Sequence, residues 1–116
     1  MASKLSAKAQ QRLSALEEAK RKLDRVYSMI EQYASTGQEH LTGSIRRTGA
    51  EVGRLFMNNG FGVMADHANQ LGMAARRGGA TQAKFRMLRE TLAGLRGEME
   101  RAERAVVSGD GPDAED

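Results

Sequence analysis

Residues 80–107, ATQAKFRMLRETLAGLRGEMERAERAVV, decide the fold of this chain. Phe85, Leu88, Leu92, Leu95, Met99, Ala102 and Val106 follow one another at alternating steps of three and four. That spacing keeps apolar side chains on one stripe of a helix and recurs in coiled-coil seams. A second line at the same spacing, on the opposite side, carries Ala80, Ala83, Met87, Gly94 and Gly97 and is interrupted by Glu90. Glycine inside a helix costs about 1 kcal/mol relative to alanine. Gly94 and Gly97 therefore need a reason on that face: a neighbouring molecule pressed against them, or a further helix of the same chain covering them. These five residues are the candidate partner-binding line.

Working outward, Leu5, Ala9, Leu16, Ala19, Leu23, Val26, Ile30 and Tyr33 repeat the period near the start of the chain, with Arg12 interrupting the seam and Leu13 widening it. A helix is expected over residues 3–34, capped by the Ser3 hydroxyl and ended by Gly37. At 1.5 Å per residue it would be roughly 48 Å long, well beyond the ~30 Å of a small domain, so an elongated molecule is expected.

Between these rods, residues 38–77 show helical spacing at Leu41, Ile45, Val52, Leu55, Phe56, Val63, Met64, His67 and Leu71 but are interrupted by Gly43, Gly49, Gly53, Gly60, Gly62 and Gly72. Propensity alone cannot hold such a segment, and tertiary packing must. Asn58, Asn59 and Gly60 mark the expected break, because Asn and Gly tolerate the left-handed backbone that ends helices. A continuous helix is the alternative, with Gly49 and Gly53 letting another backbone approach closely. Arg76, Arg77, Gly78 and Gly79 read as a basic turn, after which Thr81 would cap a last helix over residues 82–107.

Composition agrees with helices. Aromatic residues make up 4% of the chain, Trp is absent and 40% of residues are apolar, so packing rests on Leu, Ala, Met and Val. The fold class expected is all-α: an elongated three-helix bundle, or a four-helix one if the middle breaks, with coiled-coil-like packing. Residues 1–107 would form the helical body. Residues 108–116, with four acids interrupted by Gly109, Gly111 and Pro112, would form a disordered acidic tail. All 18 Lys and Arg precede Ser108, against 11 of the 15 acids, so a basic body carries an acidic tail.

Few chemistries fit this content. Without cysteine there is no thiolate metal site or disulfide, which suits a reducing compartment. Residues 1–15 lack the apolar core of a signal peptide, and no run approaches the ~18 apolar residues of a membrane span. A cytoplasmic chain without a membrane span is expected. Met57, Met64, His67 and Met73 resemble a soft ligand set only in spacing. A histidine on an apolar helix face is more often a core residue, so no metal is expected there. Gly60, Phe61 and Gly62 lack the lysine and the preceding strand of a phosphate loop. Contact of Phe56, Met57, Phe61, Val63 and Met64 with a membrane is disfavoured by the glycines among them. No nucleophile and base, and no pair of carboxylates, can be argued to converge, so neither an enzyme, a cofactor nor a small-molecule substrate is expected.

What remains is binding. The first expectation is a non-enzymatic structural or adaptor subunit that works through helix–helix association, as a homo-oligomer or with a protein partner, along Ala80, Ala83, Met87, Gly94 and Gly97. The alternative is a sequence-nonspecific nucleic-acid-binding helical protein in which Lys20, Arg21, Lys22, Arg25, Arg46, Arg47, Arg76 and Arg77 meet phosphates. Aromatic residues are not interleaved with these charges, so base stacking is not expected. Glu17 with Arg21, Glu18 with Lys22 and Glu100 with Arg104 have the order that favours intrahelical pairs, which would turn part of this charge into a solvated face.

Overall fold

The computed structural model describes residues 5–109. They form four helices, α1 (Ala7–Thr36), α2 (His40–Asn58), α3 (Gly62–Arg76) and α4 (Thr81–Ser108), and no strand occurs among the described residues. The chain is all-helical, and the middle segment is broken rather than continuous. Its break is where the Asn and Gly residues stand. The Phe56 carbonyl accepts from both Asn59 N (3.1 Å) and Phe61 N (2.9 Å), and Gly60 turns the chain with φ +83°. Most of the acidic tail lies outside the described residues; Ser108 closes α4 and Gly109 follows it with φ +81°.

Two caps differ from expectation. The hydroxyl that accepts from Ala9 N (3.0 Å) belongs to Ser6, so α1 starts later than residue 3, and Ser3 lies outside the described residues. Thr81 is already helical, and Ala80 precedes α4 with an extended backbone and no side-chain cap. The other end of α1 is as read: Gly37 adopts φ +65° and its N–H donates to the Tyr33 carbonyl at 2.7 Å.

Connections of three or four residues force each helix to run back along its predecessor. α1 packs against α2 and α4, and α3 against α2 and α4, while the backbones of α1 and α3, and of α2 and α4, stay apart. The helices thus close a ring around one core. Its longest dimension is more than twice either of the others. The seam of α1 contributes Leu16, Ala19, Leu23, Val26, Ile30 and Tyr33, and that of α4 contributes Leu88, Leu92, Leu95, Met99 and Val106, all buried. Burying each of the larger side chains is worth roughly 1.5–3 kcal/mol before chain entropy is subtracted.

Arg12 does not interrupt the α1 seam. It is 6% exposed, and its Nε donates to the Asn59 carbonyl (3.3 Å) just past the end of α2. A cation on a freed carbonyl at a helix C-terminus is well placed.

The continuous helix is not formed, yet the close approach read from Gly49 and Gly53 is. α2 and α3 separate at Gly60, then pack against each other through buried Gly49, Gly53 and Gly72. A Cβ on Gly49 would stand 3.4 Å from the Ala68 carbonyl oxygen and 3.7 Å from Gly72 N. One on Gly53 would stand 2.9 Å from Asn69 Oδ1. The helical propensity lost at these positions is offset by close backbone contact with α3. At the tip, Phe56 and Phe61 meet edge to face with ring centroids 6.2 Å apart.

Candidate functional site

On α4, the predicted partner line faces outward at Ala80, Ala83 and Gly94, whereas Met87 packs against the core. Ala80, Ala83 and Gly94 are exposed, while Met87 and Gly97 are half-buried. Nothing lies within 4 Å of the place a Gly94 Cβ would take, and a Gly97 Cβ would meet only Arg101 Nη1, at 3.6 Å on the same helix. The chain's own helices therefore leave Gly94 uncovered. Met87 is partly occupied, since Arg77 Nη1 donates to its sulfur at 3.4 Å.

Where this flank meets α3, a cleft of about 200 Å³ is lined by His67, Gln70, Glu90, Thr91, Gly94, Leu95 and Glu98. His67 is half-buried rather than a core residue, and its Nδ1 contacts the Glu98 carboxylate, tying α3 to α4. The Thr91 hydroxyl donates back to the Met87 carbonyl at 2.8 Å.

The eight basic residues of the alternative reading do not form one surface. Lys20 lines a groove between α1 and α4 together with Glu100 and Glu103. Lys22 points to α2, where its Nζ pairs with Glu51 Oε1 at 3.2 Å. Arg21 and Arg25 are exposed on α1. The expected intrahelical pairs give way to interhelical ones, Asp24 with Arg96 (2.6 Å) and Glu31 with Arg89 (3.4 Å), because antiparallel packing sets these charges opposite each other.

Arg46, Arg47 and Arg76 do come together. They line one cleft of about 510 Å³ formed by the N-terminal part of α2, the end of α3 and the beginning of α4. Arg77 turns away to Met87. Sequence reasoning missed the fourth cation of this cleft. Lys84 is 8% exposed, its ammonium 5.7 Å from the Tyr33 ring centroid and 3.6 Å from Glu39 Oε2. The signal was available as a block of charge: residues 70–89 contain Arg76, Arg77, Lys84, Arg86 and Arg89 and not one acid.

No family model, curated protein or solved structure matches this chain. Its surfaces have to speak through their own chemistry. No group of three or more His, Cys, Asp or Glu side chains that could hold a metal ion occurs among the described residues. Among the described residues, no helix is long and apolar enough to cross a membrane. The two arrangements with working potential are the open flank of α4, which suits close approach of another helix, and the basic cleft, which suits an anion.

Proposed function

We propose that this chain is a non-enzymatic structural or adaptor subunit that acts by association, with the outer flank of α4 receiving a helix of a second copy or of a partner protein. Small residues let two helix backbones approach closely, so Ala80, Ala83, Gly94 and Gly97 form the floor and Met87 an adaptable wall. In this reading the inner seams pack in coiled-coil fashion and the outer line is left for the partner.

One observation carries the reading. Gly94 sits mid-helix in open space, where alanine would fit and would make α4 more stable by about 1 kcal/mol. Nothing within the chain uses its lack of a side chain, whereas a neighbour seated on α4 would.

Sedimentation at two protein concentrations tests this, with Gly94→Leu beside the wild type. The Cβ of a leucine meets no atom within 4 Å there, so helicity measured by circular dichroism should persist while the larger species is lost. An unchanged mass distribution with normal helicity would remove the docking role.

A further inference from the structure

The basic cleft is a second interaction site, independent of the α4 flank, and we propose that it binds the phosphate backbone of a nucleic acid without regard to base. Four cations from three helices, Arg46 and Arg47 of α2, Arg76 of α3 and Lys84 of α4, line one opening together with the hydroxyls of Thr42 and Ser44. Three of them are held in readiness. Arg46, Arg47 and Arg76 have no carboxylate partner among the described residues, unlike Lys22, Arg89 and Arg96, which are each paired. The single carboxylate at the rim, Glu39, is already engaged by Lys84 and by the Tyr33 hydroxyl at 3.4 Å.

Local contacts guide the side chains of Arg46 and Arg47. The Arg46 stem crosses α3 at Gly72, where an added Cβ would stand 3.4 Å from Arg46 Cγ. Arg47 donates to Ser44 Oγ at 3.1 Å and passes over Gly43. Planar guanidinium forks match phosphate oxygens better than point charges do.

The class of partner follows from the rest of the lining. Among the described residues the lining has no Phe, Tyr or Trp and His40 supplies its one ring, too little for a run of stacked bases, so recognition rests on the backbone. Ala75 is the only apolar residue on its wall, too little for the apolar centre of a protein interface or for insertion into a bilayer.

Fluorescence anisotropy of a fluorescein-labelled DNA duplex of about 20 base pairs and mixed sequence, between ~50 and ~200 mM salt, tests the proposal. The full chain is compared with Arg46→Gln/Arg76→Gln and with a charge-matched control, Arg101→Gln/Arg104→Gln, at the other end of α4. The cleft pair should weaken binding about tenfold or more and lower the slope of log affinity against log salt by about 2. The control should change affinity less than about twofold. Arg47→Gln/Arg76→Gln is the second cleft pair, because the Arg47 hydrogen bond is to Ser44 of its own helix, and circular dichroism verifies that each variant is folded. Equal losses in cleft and control variants would overturn the proposal, as would an unbound duplex at the lowest salt. So would vesicles containing phosphatidylserine that bind through the cleft while the duplex does not.

Discussion

Replacing Gly94 and Gly97 by alanine should make the isolated protein more stable, and the size of the gain can be worked from the space around them. A Cβ at Gly94 meets nothing within 4 Å, and one at Gly97 meets a single guanidinium nitrogen at 3.6 Å, ordinary contact with a side chain that can move. Each substitution should therefore deliver nearly the whole helix-propensity difference of about 1 kcal/mol. The double variant should gain about 1.5–2 kcal/mol. For a domain near this size, each kcal/mol moves the melting temperature by roughly 4 °C or somewhat more. Thermal unfolding followed by circular dichroism at low micromolar concentration measures the gain. Gly49 is the contrast, since a Cβ there would already touch the Ala68 carbonyl oxygen at 3.4 Å. The two γ-methyl groups of Gly49→Val would wedge α2 from α3, and overpacking of this kind costs about 1–3 kcal/mol. A docked partner adds a concentration dependence, because whatever binds only the folded state stabilises it by mass action. As concentration rises, wild type should close the gap on the alanine variant if the flank is an interface. A Gly94→Ala variant that melts at or below wild type at the lowest concentration would refute the reasoning, because it would show that the space is not empty in the monomer.

Three smaller perturbations probe the ends and the buried charges. Gly37→Ala should lose about 1 kcal/mol by denaturant titration, since nothing crowds the position and the cost is that of holding φ +65° with a side chain. Ser6→Ala should cost about 1 kcal/mol and speed hydrogen exchange at the Ala9 amide, which the Ser6 hydroxyl satisfies. Arg12→Met keeps the apolar stem but leaves the Asn59 carbonyl without its donor, so it should lower stability by about 1–2 kcal/mol in urea unfolding, while Lys20→Met on the exposed side stays within about 0.5 kcal/mol.

The parts of this fold that were legible are those written in local chemistry. Seven positions from Phe85 to Val106 stated the inward face of α4, and Asn59 with Gly60 stated the turn between α2 and α3, because periodicity and backbone tolerance need no knowledge of neighbours. Capping was less legible. Ser3 and Ser6 both satisfy the local rule, and the choice falls where the first packed turn begins, at Ala9 against the core. Charges were least legible of all. Arg12 and Lys84 occupy inward positions with only 6% and 8% of their surface exposed, and each is tolerable there because another segment brings it an oxygen, from Asn59 and from Glu39. Likewise Glu17, Glu18 and Glu100 promised pairs within their own helices, yet register between antiparallel helices selected Asp24, Glu31 and Glu51 instead. The candidate sites divide in the same way. Spacing alone placed Ala80, Ala83 and Gly94 on the outer side of α4 but not Met87, which packs on the core, whereas the cleft needed α2, α3 and α4 to be placed side by side before Lys84 joined Arg46, Arg47 and Arg76.

Glycine usage separates what the fold requires from what it does not. Gly49, Gly53 and Gly72 are buried between α2 and α3, and the close contact they allow carries the chain from the start of α2 to the end of α3 with the two helices nearly touching. That contact is also what places Arg46 over Gly72 and brings Arg76 to the same opening. Enlarging Gly72 should therefore disturb the cleft before it disturbs the core, since the first atom a new Cβ meets is Arg46 Cγ at 3.4 Å, part of an exposed residue free to shift. Gly94 has no such account. It weakens α4 at mid-length, touches nothing and is needed by no turn. A helix otherwise rich in strong helix formers carries that cost on the one flank where its neighbours leave room, and a contact made outside the chain is the physical explanation that uses both facts.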